Sequence, residues 1–350
     1  MSKKRIVSLL LALAMLLSLC ACGQTAGPEE VTDTQPADPV TVTDMIGRQV
    51  DVTPGEYTRV VCIGAGALRQ YSYIGDMSLL CGVEDIDNIT LTDRPKMFDG
   101  VARPYVMAYS EVLTALPSCG VGGPNAQAAE AEKILSCAPD IVISQYEDAD
   151  KADALQSQLG VPVITLRSGP DGVFADELRG SLTLLGQVFG REQRAQELIQ
   201  FIGSQRDDIF SRTAVQDVSV KGIQPIEEEA FAAIGADMDV MIIDAAAVKN
   251  IAPLYAEDPT LLDTCKAWQN GQVYLEMAYN AYYTNFEIAL ANTWFIAKSV
   301  YPELFADVDM TQKLDEITEM FLGKPLAAEI FACPSSFGGY QQIDTASFFS

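Results

Sequence analysis

The chain of 350 residues contains no histidine. That absence removes Ser-His and Cys-His nucleophilic catalysis, the H-E-x-x-H zinc site, and every histidine-ligated metal or haem. Basic residues are also scarce, with 23 Lys and Arg against 48 Asp and Glu and a formal net charge of -25. A surface this acidic repels nucleic acid and anionic lipid, and no basic groove interrupts it, so no nucleic-acid partner is expected. Long apolar runs are missing after residue 19. Eight cysteines are present, but none forms a C-x-x-C pair, and sequence alone cannot assign disulfides. Neither G-x-S-x-G nor S-x-x-K occurs in a catalytic context. An exported lipoprotein enzyme is therefore only a remote alternative, and neither catalysis nor a cofactor is expected.

The first residues differ from the rest. Lys3, Lys4 and Arg5 precede an apolar run over 6–19, which is shorter than the roughly 20 residues that span a bilayer. It ends in Leu19-Cys20-Ala21-Cys22-Gly23, which resembles the lipobox of bacterial lipoproteins and points to Cys22 as the acylated residue. Cys20 fits worse, because the bulky Leu19 would occupy its preceding position. Residues 1–21 are thus expected to be a lipoprotein signal peptide. Residues 22–40, rich in Pro, Thr, Glu and Asp with no apolar periodicity, are expected to be a flexible tether. The lipid anchor would be the only membrane attachment.

From Val40 onward, an alternating stretch and a Gly47 turn predict a β-hairpin. Short β-type runs at 59–63, 79–83, 140–144 and 162–166 then alternate with helical patterns at 67–74 and 149–159, and Asn125 is placed to cap a helix running to Cys137. Such alternation argues for a parallel sheet covered by helices over residues 41–172, an N-terminal α/β lobe. Residues 173–214 read as helical. Within them, Ala195, Leu198, Ile202 and Ile209 keep helical spacing on a segment 191–212, about 33 Å long at 1.5 Å per residue. Runs at 240–244 and 272–275 with helices at 285–300 and 311–322 predict a second α/β lobe over 215–350.

Several stretches, in this order, resemble the periplasmic binding proteins that serve iron–siderophore, haem and vitamin B12 importers. They are Thr43-Asp44 with Gly47-Arg48, Arg59-Val60-Val61, residues 64–69 (GAGALR), 82–85 (GVED) and Arg103-Pro104-Tyr105. Then follow Leu116-Pro117 with 120–125 (GVGGPN), 138–143 (APDIVI), 271–274 (GQVY), Tyr279-Asn280, and 321–325 (FLGKP). The resemblance implies two Rossmann-like lobes joined by one long bridging helix, the class III periplasmic-binding-protein fold, with ligand held between the lobes. It also implies capture of an iron chelate, siderophore or haem-like, and delivery to an ABC permease and its ATPase. A corrinoid or oxyanion ligand, or a sensing or scavenging role on the same fold, stays open. Capture of bare zinc or manganese is disfavoured by the missing histidines.

Candidate ligand contacts follow from chemistry and position. Tyr279, Tyr282 and Tyr283 lie just past the strand at 272–275. Tyr105, Tyr109 and Tyr146 are expected in strand-to-helix loops of the N-terminal lobe, where such folds bind ligands. A tyrosine ring packs on an aromatic body while its hydroxyl bonds a chelate oxygen. Arg69 and Arg103 could hold a carboxylate or catecholate, and the Gly64–Gly66 turn offers backbone N–H groups that suit an anion. A nucleotide loop is disfavoured there because the third glycine of G-x-G-x-x-G is missing. In the vitamin B12-binding relative a glutamate at the position of Glu132 docks an arginine of the permease. The counterpart in the second lobe falls among Glu227, Glu228 and Glu229, with Glu229 carried forward; a solvated acidic face is the alternative. Only about 27 residues separate the bridging helix from the strand at 240, too few for a full β-α-β crossover. A shortened C-terminal lobe lacking one or two strands is expected.

Overall fold

A computed structural model describes residues 38–123, 128–168, 172–213, 234–260 and 262–349. The expected signal peptide, most of the tether, the Asn125 cap, and Glu227 to Glu229 lie outside the described residues.

The chain opens with the hairpin, β1 (Val40–Thr43) against β2 (Gln49–Val52), antiparallel with Val42 opposite Val50. The Asp44 carboxylate closes its turn by accepting from the N–H groups of Ile46 and Arg48. Arg48 returns a 3.0 Å ion pair to Asp44, donates to the Val163 carbonyl, and pairs with Asp153. This buried pair gives Asp44 and Arg48 a physical role: they pin the hairpin onto the sheet behind it.

That sheet contains β3 (Val60–Ile63), β4 (Leu80–Glu84), β5 (Ser118–Gly120), β6 (Ile141–Ser144) and β7 (Val163–Thr165), all parallel in the order β5-β4-β3-β6-β7. Every residue of β3 and β6 is buried, as a parallel sheet covered on both faces requires. Side chains alternate between two cores. Cys62, Ile141 and Ile143 face α1 (Ala67–Ile74) and α2 (Pro104–Ala115), while Val61, Ile63 and Val142 face α3 (Ala131–Ser136) and α4 (Ala149–Leu159).

Helix α2 corrects the placement of Tyr105 and Tyr109, which lie on this helix rather than in loops. Pro104 misleads a sequence reading here, yet proline suits a first helical turn, whose N–H groups have no partner inside the helix.

Two helices follow, α5 (Asp176–Phe189) and α6 (Glu192–Thr213). The buried residues of α6 are Ala195, Leu198, Ile202, Gln205 and Ile209, one narrow stripe. This helix touches α5 on one side and, on the other, α9 (Phe286–Val300) and α10 (Met310–Leu322). Arg194 on α6 donates to carbonyls of Tyr73, Met320 and Phe321, tying the end of α1 to the end of α10.

The second sheet comprises β8 (Met241–Asp244), β9 (Val273–Glu276) and β10 (Gln341–Gln342), with β8 and β9 parallel and β10 antiparallel. Helices α7 (Val248–Glu257) and α8 (Lys266–Gln269) cover one face, where Ile243, Trp268, Val273 and Leu275 are buried together. Among the described residues this sheet has three strands against five in the first; the residues that would carry more, 214–233, lie outside the description. The short α11 (Ala327–Phe331) completes the helices named here. The main core is continuous across both lobes, joining Tyr73, Leu113 and Leu182 with Phe286, Trp294, Phe305 and Phe321. No described helix is long and apolar enough to cross a membrane.

Candidate ligand cleft

From β3 the chain proceeds to β4 and β5 on one side, then returns to place β6 and β7 on the other. The direction reverses between β3 and β6, and ligands of open α/β sheets bind in the crevice outside the strand ends at such a point. The loops after β3 and β6 meet there. Gly64 has φ +81° and Gly66 +100°; a side chain on Gly66 would sit 2.3 Å from Gln145 Oε1. Both positive φ values lie in the left-handed region that glycine adopts without penalty.

Glu84, the last residue of β4, lies beneath these loops with 5% exposure. Its Oε1 accepts from the Gly64 N–H at 3.0 Å. The N–H expected to await an anionic ligand is therefore occupied by the chain's own carboxyl. Burial pushes Glu84 up to about 8, with the Gly64 N–H pulling it down and Asp87, Asp85 and Glu130 pushing it up. Gly122, φ +69°, covers the same carboxyl: a side chain there would lie 2.6 Å from Glu84 Oε2.

The opposite wall comes from the turn between β9 and α9. Asn280 and Thr284 pair across it, the Ala281 N–H donates to the Tyr283 carbonyl, and the Asn285 N–H donates to Tyr279. Tyr282 (φ 52°) and Tyr283 (φ 70°) both adopt left-handed backbone, a conformation costing non-glycine residues on the order of 1–3 kcal/mol. Arg69 holds the turn, donating from Nη1 to the Tyr282 carbonyl at 3.0 Å and from Nη2 to Ala281 at 2.7 Å. The Tyr282 ring enters the first lobe, packing with Ala65, Ile86 and Phe98, and its hydroxyl donates to the Pro95 carbonyl. The strand ends of the two sheets thus face each other.

The predicted contacts divide into three groups. Arg69, 1% exposed, joins the lobes and stacks over Tyr105. Arg103 donates to Asp87 and to the Ile86 carbonyl, both at 2.8 Å, and stacks over Tyr282. Tyr105 is fully buried and donates to Asp87 at 2.6 Å; burial first, then Asp87, raises its hydroxyl. These three form the support behind the Tyr282 socket. Tyr146 and Tyr279 are half-buried at the ends of β6 and β9, and burial is the main cause that raises both hydroxyls. Tyr283 is 55% exposed. Glu132 is exposed in the first turn of α3, and Cys22 and Glu229 lie outside the described residues. The cysteines at 62, 81, 119, 137, 265 and 333 are all free thiols.

Sequence reasoning passed over the carboxyls that terminate the strands. Asp244 ends β8 and Glu276 ends β9, neighbours in the parallel register. Burial pushes Glu276 up to about 7, with Asp244 adding to the rise. Burial likewise raises Asp244, while the Ala246 N–H pulls it down. Glu276 Oε2 is buried and has no hydrogen-bond partner. The available signal was an acidic residue closing an apolar β-run, as in Val83-Glu84, Ile243-Asp244 and Leu275-Glu276. Among the described residues no group of three or more Asp, Glu, Cys or His side chains is arranged to hold a bare metal ion.

Residues 107–253 match a family model described as periplasmic binding protein. No curated protein sequence matches the chain. Solved structures share its fold. A periplasmic solute-binding protein from Veillonella parvula is 13% identical with a TM-score of 0.61, covering 85% of this chain and 96% of that one. The molybdate-binding protein MolA of Haemophilus influenzae is 17% identical with a TM-score of 0.58, covering 82% and 98%. The catecholate-siderophore-binding protein VctP of Vibrio cholerae is 18% identical with a TM-score of 0.50, covering 77% and 100%.

Proposed function

We propose, for a chain that has the periplasmic-binding-protein fold and matches that family's model over residues 107–253, that it is the extracytoplasmic binding component of an ABC-type importer. It captures a metal-organic compound of the iron-chelate kind between its lobes and delivers it to a permease driven by an ATPase, without chemical change. The observation that supports this best is the strained Tyr282–Tyr283 turn at the switch point. Two left-handed tyrosines persist only where their surroundings hold them, and such strain clusters at ligand-binding sites. Half-buried Tyr146 and Tyr279 follow the ends of β6 and β9 and would offer ring faces and hydroxyls to such a ligand. Acylated Cys22 would hold the protein at the membrane, and exposed Glu132, with Glu229, would dock the permease.

Thermal shift of the mature protein against ferric siderophores, haem, cobalamin and oxyanions tests the central claim. A ligand present at 100 times its Kd adds about 2.7 kcal/mol of stability. No shift with any compound, together with no heat of binding by calorimetry, would remove the assignment. In cells, Cys22→Ala releases the protein from membranes, and Glu132→Ala keeps ligand affinity while lowering uptake. Unchanged membrane retention or normal uptake, respectively, would refute these parts.

A further inference from the structure

We infer that Cys119 and Cys137 are a paired modification site: meeting an oxidant as the chain folds, they join in one disulfide that staples the edge strand of the first sheet to the helix beside it. The inference goes beyond the proposed function and takes from it only the extracytoplasmic surroundings, where disulfides form and persist.

The six cysteines of the folded region are far apart in sequence, and the fold brings two of them together around Gly82 on β4. A side chain on Gly82 would meet Cys137 Sγ at 2.6 Å and the Cβ atoms of Cys119 and Cys137 each at 3.1 Å. Two Cβ atoms that close to one point stand at most about 6 Å apart, and the spacing of about 3.5–4.5 Å that a disulfide needs lies within that reach. The bare glycine leaves the space between them open to the sulfurs. Both backbones are held. Cys119 lies on β5 between Ser118 and Gly120, which pair with β4. Cys137 closes α3, which packs on β5, and the Arg59 guanidinium donates to the carbonyls of Cys137 and Ala138. The Cys137 thiol already points back at β5, donating to the Ser118 carbonyl 3.8 Å away, one residue before Cys119. Cys81 is the rival partner, but its thiol donates to the Val60 carbonyl on β3, on the other side of β4. The backbone supplies the approach of Cys119 and Cys137, and side-chain rotation completes it.

Burial sets the timing. Cys119 is 1% and Cys137 2% exposed, and burial is the first cause that raises both thiols. Exchange needs a thiolate that can reach its oxidant, so the folding chain reacts more readily than the folded one. One cysteine thiolate attacks a disulfide of the oxidant, forming a mixed disulfide and releasing one oxidant thiol; the second cysteine then displaces the other. Two cysteine S–H bonds are lost and one S–S bond forms, while two electrons and two protons end on the oxidant as a dithiol. The bond closes a loop that carries Glu132 and also Gly122 and Gly123, which lie against Glu84 and Tyr282. It fastens both ends of a segment that borders the cleft.

The test refolds the reduced, denatured mature chain carrying Cys22→Ala in a buffer of reduced and oxidised glutathione. Remaining thiols are then blocked and linked peptides mapped by mass spectrometry. Cys119 and Cys137 should be joined, with Cys62, Cys81, Cys265 and Cys333 blocked as thiols. The oxidised protein should melt about 5 °C above the same chain refolded with dithiothreitol, as expected for closing a loop of this length in a chain of this size. Cys137→Ala should abolish that difference and Cys81→Ala should preserve it. The chain exported by a bacterial host and blocked on lysis should show the same link with no refolding step. Cys119 and Cys137 both blocked as free thiols in the exported or the refolded protein overturns the inference, as does Cys137 joined to Cys81. Fractionation of the same cells keeps the two conclusions apart: a chain retained in the cytoplasm counts against the extracytoplasmic reading, and the refolded sample then decides the pairing by itself.

Discussion

Glu84 illustrates what one buried side chain imposes on a cleft. Below pH 4.5 both folded and unfolded chains carry its proton. Between there and about 8 the folded chain keeps a proton that the unfolded chain has released. Its contribution to stability therefore falls as pH rises through that window, by up to roughly 1.4 kcal/mol for each pH unit. Glu84→Gln removes the titration, so the variant should gain stability over the wild type at pH 8 and show little gain at pH 5. Denaturant unfolding at both pH values measures this; an equal effect at both would mean that Glu84 ionises normally. The residue itself was visible in the sequence as part of a landmark (GVED, 82–85), but its burial was not. That depends on Gly64 and Gly122 closing over it from two different strand ends.

The elements show where sequence signals are sufficient and where they are not. Helix α1 runs over Ala67–Ile74 as its apolar pattern and glycine turn indicate, and α6 is found within one residue of its expected ends. Both carry strong local information, a 3.6-residue stripe and a tight entry turn. The turn after β9 carries none. Nothing local to Tyr282 and Tyr283 announces left-handed backbone; Arg69, more than 200 residues earlier in the chain, helps hold them there. The arginines were legible as functional candidates, yet their partners are distant carbonyls and carboxylates that no spacing rule reveals. Tyr283→Gly should stabilise the ligand-free protein by about 1 kcal/mol, because glycine accepts φ 70° without penalty and the exposed ring contributes little packing. A lower urea midpoint in that variant would show that the ring packs more firmly than its exposure indicates.

The two-lobed α/β architecture was readable because alternating strands and helices survive any uncertainty about their ends. The short connection before the strand at 240 already pointed to a weaker second lobe, and the burial of the strands supplies its physical ground. All four residues of β3 and of β6 are buried, whereas only one of four in β8 is. Amide exchange should therefore be faster in β8 and β9 than in β3 and β6, since less apolar cover leaves local opening cheaper. Equal protection would show that the smaller sheet is stabilised by something other than burial.

The continuity of the main core has one more consequence. Leu182 and Tyr73 from one lobe share packing with Phe286, Trp294 and Phe321 from the other, and Arg194 clasps both sides. Such a molecule is a caliper with its jaws welded at a set gap rather than a trap that snaps shut. Fit is decided by the width between the jaws, and a filled caliper has nearly the same outline as an empty one. Under the proposed function, a transporter would then have to feel the cargo itself, rather than a change in the carrier's outline, to tell a loaded carrier from an idle one.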